Sequence, residues 1–324
     1  MTARTQELAA VCQAMRAESL VALAIHEGPD GDAVGAAAGM LDLFAKLGVE
    51  AHLFVEPGVV LPLAAEFLPP AFVVAGPPPA AATVYALDCG SAARLAVKLG
   101  DQRRRTVNID HHHDNTRFGD LNLVDGAASS TSELVCEIGV GLDLRFSPSA
   151  AAALYAGISF DTGHFQHAST SAATFDCCAR LVADGADPNR VYRLLYGTRS
   201  LASLRLWARA IGGARPAACG RALLALLTAE DFAATGAADE ETEGIVDALR
   251  SVPGVEVAAL SRSHGDGQVK VSLRSEGFDV SAVAGLKGGG GHRQAAGFTT
   301  GGTVEEVTQW LSTVLDERLS TASC

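Results

Sequence analysis

Four short apolar runs, at residues 20–25, 51–55, 83–87 and 105–109, alternate with helical stretches such as 33–47. This alternation constrains the chain most, because short buried strands separated by helices assemble into a mostly parallel sheet flanked by helices. The expectation is an α/β fold, and in such sheets ligands sit beyond the carboxyl ends of the strands. The residues that directly follow each run are therefore the ones to inspect. Between Glu56 and Ala82 lie seven of the twelve prolines, which predicts a stiff, irregular connection there.

Residues 129–184 read as largely helical, with separate helices at 149–159 and 171–183. A connecting helix at 199–212 ends at Gly212 and Gly213, with Pro216 just beyond. A second pattern then begins. It has a strand at 222–227, helices near 229–234 and 241–251, paired strands at 255–262 and 268–274, and a last helix at 304–315. At 324 residues with 48% hydrophobic content, two domains can each bury a core. The expected plan is a first domain over 1–190, a helical linker over 191–215 and a smaller α/β domain over 216–324.

Charge narrows the partners. With 25 basic against 37 acidic side chains the formal net charge is −12, which argues against binding long nucleic acid, where many phosphates must be neutralised. The one dense basic cluster, Arg103-Arg104-Arg105, reads as a solvated turn. No apolar run reaches the eighteen or so residues that span a bilayer, and the first residues lack the apolar middle of a secretory signal. A cytoplasmic protein without membrane partners is the expectation. The seven cysteines include no CxxC pair, so neither a disulfide framework nor a thiolate zinc site is indicated.

Three strand ends carry acidic or imidazole groups. After the first run come His26, Asp30 and Asp32 in HEGPDGDAVG, after 83–87 comes Asp88, and after 105–109 come Asp110, His111 and His112. A fourth contribution is Asp161, in FDTGHF at the end of an expected helix. Taken singly, PDGD reads as a turn and helix cap, Asp88 and Asp161 as caps, and the histidines as a surface cluster. Their joint placement at strand ends reverses that reading. Five carboxylates in one crevice repel one another unless cations or donors compensate them, and divalent ions do so. Mixed carboxylate and imidazole donors suit Mn²⁺, with Mg²⁺ or Co²⁺ as substitutes, and two ions roughly 3.5–4 Å apart can activate water and polarise a phosphoryl group together.

HEGPDGDAVG, LDCGS, NIDHHHDN and SFDTGHF resemble, in order, the four motifs of the DHH phosphoesterase superfamily. GGGGHRQAAG resembles the glycine-rich motif of its accessory DHHA1 domain. The resemblance implies that His26, Asp30 and Asp88 hold one Mn²⁺ and that Asp32, Asp88, His111 and Asp161 hold the second, with Asp88 bridging. His112 would face the substrate phosphate, and Asp110 would orient a neighbouring imidazole. Gly288, Gly289, Gly290, Gly291 and His292, with Arg274 and Ser275, would grip the nucleotide. Four successive glycines also suit a plain flexible turn. Length, charge and the paired domains point to the stand-alone nano-RNase and pAp-phosphatase (NrnA-type) branch. Its members are expected to act as homodimers on short oligonucleotides, dinucleotides such as pApA, and pAp. A cyclic or linear dinucleotide (c-di-AMP) phosphodiesterase or a family II pyrophosphatase is the alternative.

Overall fold

The computed structural model describes residues 3–98, 105–197, 199–265 and 267–319, so Arg103 and Arg104 lie outside the described residues. The chain divides into two compact units, Met1–Thr198 and Arg199–Cys324. In the first, helix α1 (Ala3–Ala17) precedes strand β1 (Leu20–Ala24), helix α2 (Gly31–Leu47) and strand β2 (Glu50–Val55). Strands β3 (Val73–Ala75), β4 (Thr83–Leu87), β5 (Thr106–Asp110) and β6 (Leu121–Val124) follow. Helices α3 (Thr131–Leu142), α4 (Pro148–Asp161), α5 (Ala172–Ala183) and α6 (Pro188–Leu195) complete the unit. All six strands are parallel, in the order β3-β2-β1-β4-β5-β6.

The period-two alternation of strands sorts the side chains of β1. Val21 and Leu23 enter the main core with residues of α2, α3 and α4, while Ala22 and Ala24 face a smaller cluster with Phe54, Val84 and Val97. Helix α2 starts where Asp30 accepts the amides of Asp32 and Ala33, at 3.0 and 3.1 Å, and stops at Gly48 in the left-handed region. It packs closely on α4. A Cβ on Gly35 would lie 2.5 Å from the Ala153 carbonyl oxygen, and one on Gly157 would lie 2.2 Å from Ser132 Oγ. That close approach brings the first turn of α2 and the last turn of α4 to one end of the sheet.

The second unit opens with α7 (Leu201–Gly212) and strands β7 (Arg215–Ala217) and β8 (Ala222–Leu227). It continues through α8 (Ala229–Thr235), α9 (Ile245–Arg250), β9 (Val257–Arg262), β10 (Gln268–Ser275) and α10 (Val280–Gly285). It ends with β11 (Gly290–His292), β12 (Ala295–Gly301) and α11 (Val304–Leu319). The sheet runs β11-β12-β10-β9-β8-β7, with only β8 and β9 parallel. One face packs on α7 and α9, the other on α10 and α11.

Several elements depart from the sequence expectation. The stretch 191–215 holds parts of two helices that belong to different units: Val191 of α6 is buried in the first core, whereas Leu206 and Ala210 of α7 are buried in the second. The expected helix at 241–251 is broken at Gly244, whose left-handed backbone (φ 83°) brings it against the Trp207 ring. Strands β3, β6, β7, β11 and β12 are additional; they are short, or built of Gly and Thr with no clear apolar alternation. Among the described residues no helix is long and apolar enough to cross a membrane.

The α2/α4 contact yields a prediction. Gly35→Ala gains roughly 1 kcal/mol of helix propensity but drives a Cβ into a backbone oxygen, an overpacking cost of about 1–3 kcal/mol or more. The clash wins because backbone cannot rotate away. Denaturant unfolding is expected to show net destabilisation, accompanied by weaker binding of divalent metal.

Candidate metal centre

The chain leaves β1 for β2 and β3 on one side and returns to β4 on the other, so the carboxyl ends of β1 and β4 flank the point where strand order reverses. His26 follows β1 and Asp88 follows β4. Asp88 has a left-handed backbone (φ 55°), a conformation that only a few per cent of non-glycine residues adopt. It is 2% exposed, and its Oδ1 accepts the Thr131 hydroxyl at 3.0 Å.

Each oxygen of Asp88 faces a different imidazole. Oδ2 lies 3.6 Å from His26 Nε2, and Oδ1 lies 3.6 Å from His111 Nε2 and 3.7 Å from His112 Nδ1. His26 Nε2 is also 3.8 Å from Asp30 Oδ1, and His111 Nε2 is 2.9 Å from Asp161 Oδ2. Among the described residues, three groups of donor atoms are close enough to hold an ion: His26, Asp30 and Asp88; Asp32, His111 and Asp161; and Asp88, His111 and His112.

The surroundings of the carboxylates differ. Asp32 is fully buried, and its oxygens accept the amides of Thr131 and Ser132 at 2.6 and 2.9 Å. Burial, and then the nearby Asp88 and Asp161, still push its pKa well up. Asp161 is pushed up chiefly by burial, with Asp88 adding to the rise against the hydrogen bond from His111. Burial acts on Asp110 as well, but His112 Nδ1 at 2.7 Å and Asn115 Nδ2 at 2.5 Å outweigh it and hold its pKa down. For His26 and His111, burial disfavours the cation, yet the facing carboxylates outweigh it and raise both to about 10.

This donor set fits divalent cations. Burial and like charge press Asp32 and Asp161 toward the neutral acid, and the facing carboxylates favour protonated imidazoles; two dipositive charges remove that conflict. Metal binding must therefore displace protons.

Not every functional residue was legible. Thr131 and Ser132 sit in the run SSTS that starts α3, where Ser130 is the cap. Hydroxyl residues at a helix start signal capping, and nothing local marks the free amides as clasping a distant Asp32. Asn115 donates to Asp110 Oδ2 and, at 2.8 Å, to Asn108 Oδ1. Only its position five residues beyond Asp110 hinted at this.

In the second unit Arg274 lies near the end of β10, half-buried, with Nε 3.4 Å from Asp247 Oδ1. Ser275 is buried, and its hydroxyl donates to the Phe278 carbonyl at 2.5 Å. The glycine run is not a plain loop, since Gly290, Gly291 and His292 pair with β12. A Cβ on Gly289 would lie 2.3 Å from the Gly297 oxygen and one on Gly291 2.5 Å from the Ala295 oxygen, so these two are required by packing. Gly288, Gly290 and His292 are exposed.

A doubly wound sheet with aspartates and histidines at its switch point, followed by a mixed-sheet domain, defines a metal-dependent hydrolase of phosphate esters. Residues 20–158 match the DHH family, N-terminal domain, and residues 224–321 match the DHHA1 domain; the chain belongs to the DHH family of phosphoesterases. It is 30% identical over 313 residues, 92% of its length and 89% of the relative's, to the bifunctional oligoribonuclease and PAP phosphatase NrnA of Thermus thermophilus. The protein of the same description from Bacillus subtilis is 27% identical over 295 residues, 84% of this chain and 86% of that one. An exopolyphosphatase-related protein from Bacteroides fragilis shares the fold, with a TM-score of 0.82 at 22% identity over 97% of this chain and 98% of its own.

Two predictions follow from the geometry. Calorimetric titration of metal-free protein at pH 7 with a divalent ion should release protons, seen as an enthalpy that varies with buffer ionisation heat, and apparent affinity should rise with pH. The sign follows from the raised imidazoles: their protonation favours the metal-free fold below the unfolded value, and that contribution fades as pH climbs toward about 10. Asn115→Ala removes a donor from the buried Asp110 and should lower phosphoester turnover roughly 10–100-fold, the range seen when partners of metal ligands are lost. Full activity in that variant would show that Asp110 needs no such support.

Proposed function

We propose that this protein is a two-metal phosphodiesterase that hydrolyses very short oligonucleotides, including pApA, to 5′-mononucleotides and dephosphorylates pAp to AMP. The observation that carries the reading is Asp88, a buried carboxylate whose two oxygens address different histidines, as a ligand shared by two ions requires. In this reading His26, Asp30 and Asp88 hold one Mn²⁺, and Asp32, Asp88, His111 and Asp161 hold the other, with Mg²⁺ or Co²⁺ as substitutes. When bound, such a pair lowers the pKa of water and polarises a phosphoryl oxygen. The substrate class is supported by the likeness to the Thermus and Bacillus proteins over most of both chains.

The remaining residues hold and orient. Asp110 accepts from His112 Nδ1, which fixes a proton on that nitrogen and leaves Nε2 to meet a phosphate oxygen or a leaving group. Asp110 is in turn fixed by the His111 amide at 2.9 Å and by Asn115. In the DHHA1 domain, Arg274 can form a bidentate contact with a phosphate, and the exposed Gly290 and His292 offer an open glycine and an imidazole, with the exposed Gly288, whose amide donates to the Gly285 carbonyl, turning the chain toward them. Ser275, Gly289 and Gly291 act by shaping that surface. A homodimer in the cytoplasm belongs to the same proposal.

Parallel assays with Mn²⁺ on pApA, pAp, cyclic di-AMP and pyrophosphate test it. Fast turnover of pApA and pAp, abolished by chelation and restored by Mn²⁺, is expected. Rapid cleavage of pyrophosphate with inert pApA would overturn the assignment, and preference for cyclic di-AMP would shift it to the cyclic dinucleotide class.

A further inference from the structure

Phe160 is out of place for an apolar side chain. It precedes Asp161 on α4, where Leu154 and Ile158 are fully buried, yet it is 42% exposed. Its ring is not loose. Gly31, which separates Asp30 from Asp32, packs directly on it, and a Cβ added to Gly31 would lie 2.9 Å from Phe160 Cγ. The residue therefore sits between the two acidic segments of the candidate centre. It touches the loop that carries Asp30 and Asp32 and adjoins Asp161.

The local backbone keeps it there. The Phe160 carbonyl accepts the Gly163 amide at 3.0 Å, closing the turn at the end of α4. Gly163, His164 and Phe165 then follow in the left-handed region, with φ of 55°, 59° and 66°. Two non-glycine residues in that conformation form a turn held against its own preference, of the kind that clusters at functional sites.

Chemistry selects the occupant. A phenyl ring has no hydrogen-bond donor, and its face is electron-rich, so it cannot bind a phosphate and does not help carboxylates. It can stack on a planar heterocycle, which every nucleobase supplies irrespective of sequence. We propose that Phe160 is a base-stacking, specificity-determining residue, contacting the nucleobase of the nucleotide whose phosphate is bound at the metal centre. This rests on the nucleotide reading above and adds which side chain makes the enzyme sense a base.

The test compares binding of AMP and of ribose 5-phosphate, which share the phosphate and sugar, by calorimetry in buffer containing Mn²⁺. Wild-type protein should bind AMP about tenfold more tightly, the scale of one base-aromatic stack. Phe160→Ala should erase that preference with ribose 5-phosphate binding, Mn²⁺ affinity and oligomeric state unchanged, and Phe160→Trp should keep it. The proposal is overturned if wild-type protein shows no AMP preference or if the preference survives in Phe160→Ala. It also falls if Phe160→Ala weakens Mn²⁺ binding or changes the oligomeric state, since the ring would then prop the metal loop or seat a second copy. An AMP preference that maps to Phe160 in a protein inert toward pApA and pAp would sink the substrate assignment and leave this inference standing.

Discussion

Asp32 has no solvent contact, and its two oxygens rest on the first amides of α3. A helix start offers unsatisfied N–H groups and a partial positive charge, so it is one of the few purely backbone devices that can hold a buried anion. Here the device also joins three helices. Asp32 belongs to the first turn of α2, its donors to α3, and Gly157 of α4 must lack a side chain because Ser132 Oγ and Asp32 Oδ1 occupy the space its Cβ would need. The packing of the helical layer and the placing of one carboxylate are therefore a single constraint.

From that anchor the acids divide into two kinds. Asp30 and Asp110 are held down by donors that the protein itself provides, against the opposing effect of burial: the imidazole of His26 and helix amides for Asp30, His112 and Asn115 for Asp110. Asp32 and Asp161 are held up, because burial and the like charge of Asp88 exceed what Ser132 or His111 return. The first kind is complete within the chain. The second becomes comfortable as carboxylate only when positive charge arrives from outside, which is how a site can be stable when empty and still favour a divalent ion. The same carboxylates raise the pKa values of His26 and His111, against the opposing effect of burial.

Much of this was readable in the sequence because parallel sheets present their strand ends together. Once 20–25, 83–87 and 105–109 read as strands, His26, Asp88 and Asp110 with His111 had to share an edge, and motif order then supplied Asp161. What the sequence hid was every contribution made through backbone. Thr131 and Ser132 act by their amides, and any residue type except proline donates there, so composition carries no mark of it. Phe160 was hidden for the opposite reason: a phenylalanine in a helix reads as core, and only its exposure beside Gly31 separates it from Leu154 and Ile158.

The glycines of the second unit sharpen the same point. A run of four invites one explanation, yet neighbouring positions answer to different forces. Gly289 and Gly291 lack side chains because β12 lies within 2.5 Å of where a Cβ would go, whereas a Cβ on Gly290 would meet nothing within 4 Å and the constraint at Gly288 is its left-handed backbone. Pairing with β12 fixes Gly290, Gly291 and His292, while the Gly288 and Gly289 amides donate to the Gly285 and Ala284 carbonyls at 3.1 and 3.0 Å. Ser275 plays a matching part at the end of β10, spending its hydroxyl on the Phe278 carbonyl, while its neighbour Arg274 donates Nη1 to the Leu273 carbonyl at 3.1 Å and keeps a 3.4 Å ion pair to Asp247. The segment thus divides between residues committed to holding the backbone, Gly289, Gly291 and Ser275, and Gly288, Gly290 and His292, which stand exposed at its surface.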